Sequence, residues 1–157
     1  MPFAYQSLNN CGPQSIASVL GYYGVRLDQQ DIARVTKRRS MGYMDAAAIG
    51  LFVSHYGLEA QRFVGGRREH VQALLRLGIP VIVLQWLRPA SEVPHFRVVT
   101  GYDNRSGNFL ALDPLYGPAI LIPYPIFDAL WTSNRAQFIP VYPRTYAAQV
   151  RKALKLN

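Results

Sequence analysis

What most limits how this chain can fold is a change of hydrophobic period at Gly78. Ahead of that residue apolar side chains recur at helical spacing, as in Ile16, Val19, Leu20 and Tyr23, which fall at i, i+3, i+4 and i+7. Behind it, Ile79 to Trp86 is continuously apolar and β-branched, and His95 to Tyr102 alternates. The first pattern predicts a central strand covered on both faces, the second a strand of a hairpin. The chain therefore divides into a helical N-terminal half and an antiparallel sheet half, an α+β organisation. Its 157 residues, half of them apolar and 17% charged, suffice for one domain with a core and exclude disorder. No run approaches the roughly 20 apolar residues of a membrane-spanning helix.

The elements can be placed more closely. Pro13 has a preset φ and no N–H, which predicts that the first helix begins at Pro13 or next to it, just after the chain's single cysteine, Cys11. Asp28 reads as the N-cap of a second helix with Asp31 in its first turn. Asp45 caps a third, through Tyr56, that is apolar nearly all round and expected to be buried on several sides. Leu58 to Val64 reads as a strand, and Gly65-Gly66 turns into a fourth helix, Arg67 to Leu77. In the sheet half, Asn104 to Gly107 is a turn that folds His95–Tyr102 back on Asn108–Asp113. Ile120–Ile122 adds a strand, Pro125–Trp131 a short helix and Ala136–Val141 a closing strand. Residues 1–143 are expected to form the domain, and 144–157 a basic helix hanging off its end that could lead into a further domain of a longer protein.

The net charge of +8 and pI near 9.9 raise nucleic acid as a partner. The basic residues are scattered, however. Lys37-Arg38-Arg39, Arg67-Arg68 and the set Arg144, Arg151, Lys152 and Lys155 read as separate solvated surfaces, so no nucleic-acid partner is expected. One cysteine forms no internal disulfide, and with the histidines far apart it offers no zinc site; no metal or cofactor is expected. No signal peptide precedes the cysteine motif, which leans the expectation toward the cytoplasm and leaves the compartment open.

Cys11 sits between a polar run and Gly12-Pro13, over the positive end of a helix dipole, a position that favours thiolate, the nucleophilic form. A cysteine nucleophile needs a base and a group that orients the base. Of the three histidines, His55 is a helix C-terminal residue and His70 a surface residue of an amphipathic helix, whereas His95 begins a strand after the loop Ser91–Pro94. The hairpin returns Asp113 to the same end of the ribbon, two or three residues from direct opposition, within the about 5–8 Å spanned by neighbouring and diagonal pairs. Asp113-Pro114 can equally be read as a turn former. Gln6, five residues before Cys11, is a candidate side-chain donor to an oxyanion, with the backbone N–H of Cys11 as the second. From their positions alone, Tyr43, Met44 and the loop before His95 are candidates to line a substrate groove.

Gln6 with Asn10-Cys11-Gly12-Pro13, then Pro94-His95-Phe96-Arg97-Val98-Val99-Thr100-Gly101-Tyr102-Asp103, then Leu112-Asp113-Pro114, resembles the bacteriocin-processing, double-glycine cysteine peptidases of the papain-like superfamily. The similarity runs from Tyr5 to Val141. It implies a papain-like fold with a cleft between its halves, and hydrolysis of a peptide or protein substrate through an acyl-enzyme. Cys11 would be the nucleophile, His95 the base and then acid, Asp113 the orienter and Gln6 the oxyanion donor. The spacing from Gln6 to Cys11 is one residue shorter than in transporter-linked members, and Asn9 and Asn10 replace acidic residues common there. The chain is thus closer to stand-alone members, and cleavage after Gly-Gly is not carried over. A catalytically silent peptide-binding domain of the same fold, or a cysteine-dependent acyltransferase or amidase, remains an open alternative.

Overall fold

The computed structural model describes residues 1–156. Its sheet is built from β1 (Leu58–Ala60), β2 (Val81–Trp86), β3 (Pro94–Asp103), β4 (Asn108–Asp113), β5 (Gly117–Pro123) and β6 (Phe138–Pro143). They lie in the order β1-β6-β2-β3-β4-β5, every neighbouring pair antiparallel. The α-helices are α1 (Cys11–Tyr22), α2 (Gln29–Thr36), α3 (Ala47–Ser54), α4 (Arg68–Arg76), α5 (Tyr124–Trp131) and α6 (Ala147–Ala153).

The continuous apolar run of β2 has the predicted cause: helices cover both of its faces. Ile82 and Leu84 join Ile16, Val19 and Leu20 of α1, Ile32 of α2 and Ile49 and Val53 of α3 in one core. Val81 and Val83 point the other way, into a core with Val71 and Leu74 of α4, Phe127 and Trp131 of α5 and Val150 of α6. Each fully buried aliphatic or aromatic side chain stabilises this sandwich by about 1.5–3 kcal/mol. The sheet is the shared wall, so its two faces hold the two helical layers in fixed relation.

Three expectations need correction. The first helix begins at Cys11 itself, so the cysteine lies within the first turn and Pro13 is the third helical residue. The third helix buries one face only: Ile49 and Val53 are inaccessible, whereas Leu51 is 74% exposed. In β3, His95 to Val99 are all buried, and the polar members of the run, His95 and Arg97, share one face inside the protein. The C-terminal segment does not hang free. A 3-10 turn, Arg144–Tyr146, leads into α6, whose Val150 and the following Leu154 are buried in the core on the α4 side; Asn157 lies outside the described residues.

Candidate active site

Cys11 is 5% exposed at the head of α1. The preceding residue, Asn10, takes the N-cap position without capping through its side chain. Its amide is committed elsewhere: Nδ2 donates to Ser7 Oγ at 2.8 Å, and Oδ1 accepts from Lys37 Nζ at 2.8 Å. Asn9 adopts a left-handed φ of 56°, a conformation asparagine tolerates better than most residues, and its Nδ2 donates to Met41 O at 2.7 Å. The turn before the cysteine is thus stitched to the segment after α2. Lys37, read from the sequence as part of a solvated basic run, is only 8% exposed and belongs to this stitching.

Across the cleft, the strand registers dictate which side chains meet. Gln85 of β2 lies opposite His95 and Val83 opposite Arg97, so Gln85, His95 and Arg97 share a face. The register of β3 with β4 shifts between Val99 and Gly101, after which Val98 pairs with Leu112. Continued one step, that pairing sets Arg97 beside Asp113 and His95 a diagonal step away. Without the extra β3 residue Asp113 would oppose Val98 and point to the other face. A single bulge therefore decides that carboxylate and imidazole meet.

Asp113 is inaccessible and carries four hydrogen bonds. Its Oδ1 receives His95 Nε2 at 2.8 Å and the backbone N–H groups of Leu115 and Tyr116 at 2.8 and 3.1 Å. Its Oδ2 receives Arg97 Nε at 2.7 Å. The turn-former reading of Asp113 and its meeting with His95 are therefore both realised in the one side chain. Burial pushes the carboxyl pKa up, but the His95 hydrogen bond, the charges of His95 and Arg97 and the Leu115 N–H outweigh it, leaving it below the ordinary value. Arg97 was not singled out from the sequence. It is 3% exposed and also donates to Gln85 Oε1 and Trp86 O, both at 3.1 Å, and to Leu87 O at 2.6 Å. Gln85 in turn donates to Phe127 O at 3.1 Å, tying the row to α5. The available signal was an arginine two residues after His95 in the same strand, hence on its face.

The Cys11 thiol is close enough to the His95 ring to act on its charge. With Nε2 occupied by Asp113, the nitrogen facing the sulfur is Nδ1. Burial lowers the pKa of this imidazole, yet the Asp113 hydrogen bond, the neighbouring Cys11 and the charges of both leave it above its ordinary value. Cys11, His95 and Asp113 thus meet in space. Gln6 joins the same corner through its backbone, which donates to Pro114 O at 2.8 Å. Its side chain makes a long contact, Nε2 to Ser7 O at 3.4 Å, while Oε1 is buried without a partner. His55 caps the end of α3. His70 is half-buried rather than superficial, stacked on Phe138 with ring centroids 5.5 Å apart, its Nδ1 accepting from Arg67 N.

Beside Cys11 opens a cavity of about 240 Å³. Tyr43, Met44 and Pro94, the groove candidates from the sequence, line it together with Asp45, Ala46, Arg62, Leu84, Phe96, Asn134 and Gln137. The last two come from the segment after α5, where Asn134, Arg135 and Ala136 all have positive φ. That segment has no catalytic signature in the sequence.

An antiparallel sheet carrying His95 and Asp113, packed against a helix headed by a cysteine, defines the class: an α+β, papain-like cysteine peptidase fold. The chain belongs to the Peptidase_C39 like family, whose sequence pattern matches residues 1–139, and so to a family of peptidases, hydrolases of the peptide bond. Solved structures similar to it include three peptidases. A double glycine motif protease from an AMS/PCAT transporter, solved with its leader peptide, is 24% identical with a TM-score of 0.69 over 90% of this chain and 91% of that one. The peptidase domain of Streptococcus ComA, a bifunctional ABC transporter, is 20% identical with a TM-score of 0.71, covering 90% and 97%. A C39-like peptidase from Bacillus anthracis is 18% identical with a TM-score of 0.73, covering 91% and 94%. The sequence matches no curated protein. Among the described residues no helix is long and apolar enough to cross a membrane.

Proposed function

We propose that the chain is a cysteine peptidase in which Cys11, His95 and Asp113 act as nucleophile, general base and orienting carboxylate. One observation carries the reading: the imidazole beside the Cys11 thiol has its Nε2 held at 2.8 Å by a buried carboxylate. That is the arrangement a nucleophile, its base and the base's orienter require. A raised imidazole pKa and a lowered carboxyl pKa both favour the ion pair that positions the ring.

Sγ attacks the scissile carbonyl carbon, and the thiol proton resides on His95 Nδ1. Collapse of the tetrahedral adduct breaks the C–N bond, the imidazolium passes its proton to the leaving amine, and a thioester remains. Water, deprotonated by the same nitrogen, then releases the acid and regenerates the thiol. General acid–base transfer of this kind contributes about 10²–10⁴-fold. The side chain of Asn10 leaves the first turn of α1 without a side-chain cap, and the Cys11 N–H is one donor for the oxyanion. Gln6 is the second. A half turn of its terminal amide exchanges Oε1 for Nε2 and replaces an unpartnered acceptor by a donor. The leader peptide bound by the double glycine motif protease supports a peptide or protein as substrate, and the cavity lined by Tyr43 and Met44 beside Cys11 would receive the substrate's side chains.

The test is hydrolysis of a mixed peptide library by the wild type and by Cys11→Ala. The expected result is cleavage that the variant loses entirely while it still folds and binds the cleaved peptides. Undiminished cleavage by Cys11→Ala overturns the reading. Binding without cleavage by the wild type points instead to a silent peptide-binding domain.

A further inference from the structure

We propose that Lys37 is a positioning residue for Cys11: its buried ammonium clamps the turn that presents the sulfur and supplies a fixed positive charge beside it. The proposal deepens the peptidase reading and rests on Cys11 being the nucleophile.

The geometry is that of a clamp. Nζ donates to Asn10 Oδ1 at 2.8 Å, to Asn9 O at 3.3 Å and to Ser40 O at 2.7 Å. The first two acceptors belong to the turn entering α1, the third to the loop that runs on to Tyr43 and Met44. One side chain thus joins the nucleophile's backbone to the wall of the cavity, and Asn9 Nδ2 repeats the link at Met41 O.

The charge is the second observation. A lysine only 8% exposed ordinarily has a carboxylate beside its ammonium. Among the described residues none lies within 4.0 Å of Lys37, since the ion pairs present join Arg34, Arg68, His95 and Arg97 to their carboxylates. All three of its partners are neutral oxygens. Two of those oxygens belong to Asn9 and Asn10, the residues directly before Cys11, so the uncompensated charge lies at the head of the helix that carries the sulfur. The other titratable groups around the sulfur are His95 from β3, and Tyr43, Asp45 and Arg62 lining the cavity.

The test is the rate of Cys11 alkylation by iodoacetamide as a function of pH, alongside thermal melts. Because it uses no peptide, it succeeds or fails independently of hydrolysis. In Lys37→Met the rate at neutral pH should fall about tenfold and the profile move about one pH unit to the alkaline side. A folded Lys37→Met with an unchanged profile overturns the proposal. Should Lys37→Met fail to fold, Asn10→Asp decides. It keeps the 2.8 Å contact but pairs the ammonium with a carboxylate, so the protein should be at least as stable while alkylation at neutral pH falls severalfold. An alkylation rate in Asn10→Asp equal to or above that of the wild type leaves Lys37 a structural role alone and overturns the proposed one.

Discussion

The two banks of the cleft are held by opposite means. On the sheet side, His95, Asp113, Arg97 and Gln85 form a closed row in which each charge has its counter-charge and each strand contributes a rigid attachment. On the helix side, Cys11 rides on a left-handed turn and a loop, tied by an ammonium whose partners are all neutral. The comparison separates two tasks. An imidazole that must shuttle protons between fixed atoms needs its orientation locked, whereas a sulfur that must become an anion needs a nearby charge left unspent.

The largest expected effect comes from breaking the closed side. Arg97→Met leaves the Asp113 carboxylate buried with one charge partner fewer, and Gln85 Oε1 and two backbone carbonyls without this donor. Removing one partner of such a pair costs about 3–5 kcal/mol, a large part of a domain's stability of roughly 5–15 kcal/mol. Thermal unfolding should drop by roughly 10 °C. A drop of a degree or two would mean that the row is no more rigid than the loop side.

How much of this was legible beforehand follows the same division. The halves, the hairpin and its turn were readable because period and turn chemistry are local: β4 runs from Asn108 to Asp113, as the residues predict. The meeting of Cys11, His95 and Asp113 was half readable. Hairpin arithmetic left Asp113 two or three residues out of opposition, and only the register shift at Thr100 selects two, hence the shared face. Arg97 and Lys37 were hidden for one reason. A charged residue in a basic run, as Lys37 is, reads as solvent-facing, and for both residues the neutral or acidic partners that bury them come from distant segments, Asn9 and Asn10 for Lys37 and Asp113 for Arg97. Leu51 misled in the other direction, an apolar residue on an exposed helix face.

Gln6 belongs to both banks, its backbone bound to Pro114 O on the sheet side and its chain leading directly into the Cys11 turn. As an oxyanion donor it should be worth about 2.7–4 kcal/mol of transition-state stabilisation. Gln6→Ala is therefore expected to lower kcat by about 10²–10³-fold with little change in KM or in the melting temperature. An equal loss in the melt would assign Gln6 to joining the banks rather than to the chemistry.

The smallest effect, and the finest probe of the closed side, is the pH dependence of stability. Asp113 has its pKa held below the ordinary 3.8, so its contribution is present above that value and is lost as pH falls through the lowered one. His95 has its pKa raised above the ordinary 6.5, so its contribution is complete below 6.5 and is lost as pH rises through the raised value. The pair should therefore stabilise most between those limits. His70 opposes this near neutrality: burial and the neighbouring Arg67 and Lys155 lower its pKa despite Glu69, so its contribution improves as pH rises through 6.5. The two histidines can be separated by melts from about pH 3 to about pH 9 on the wild type and on His95→Gln. In the variant the alkaline decline should vanish while the gain from His70 persists. An alkaline limb that survives the loss of His95 would place the proton-linked stability elsewhere, and the imidazole would then be held by packing rather than by its charge.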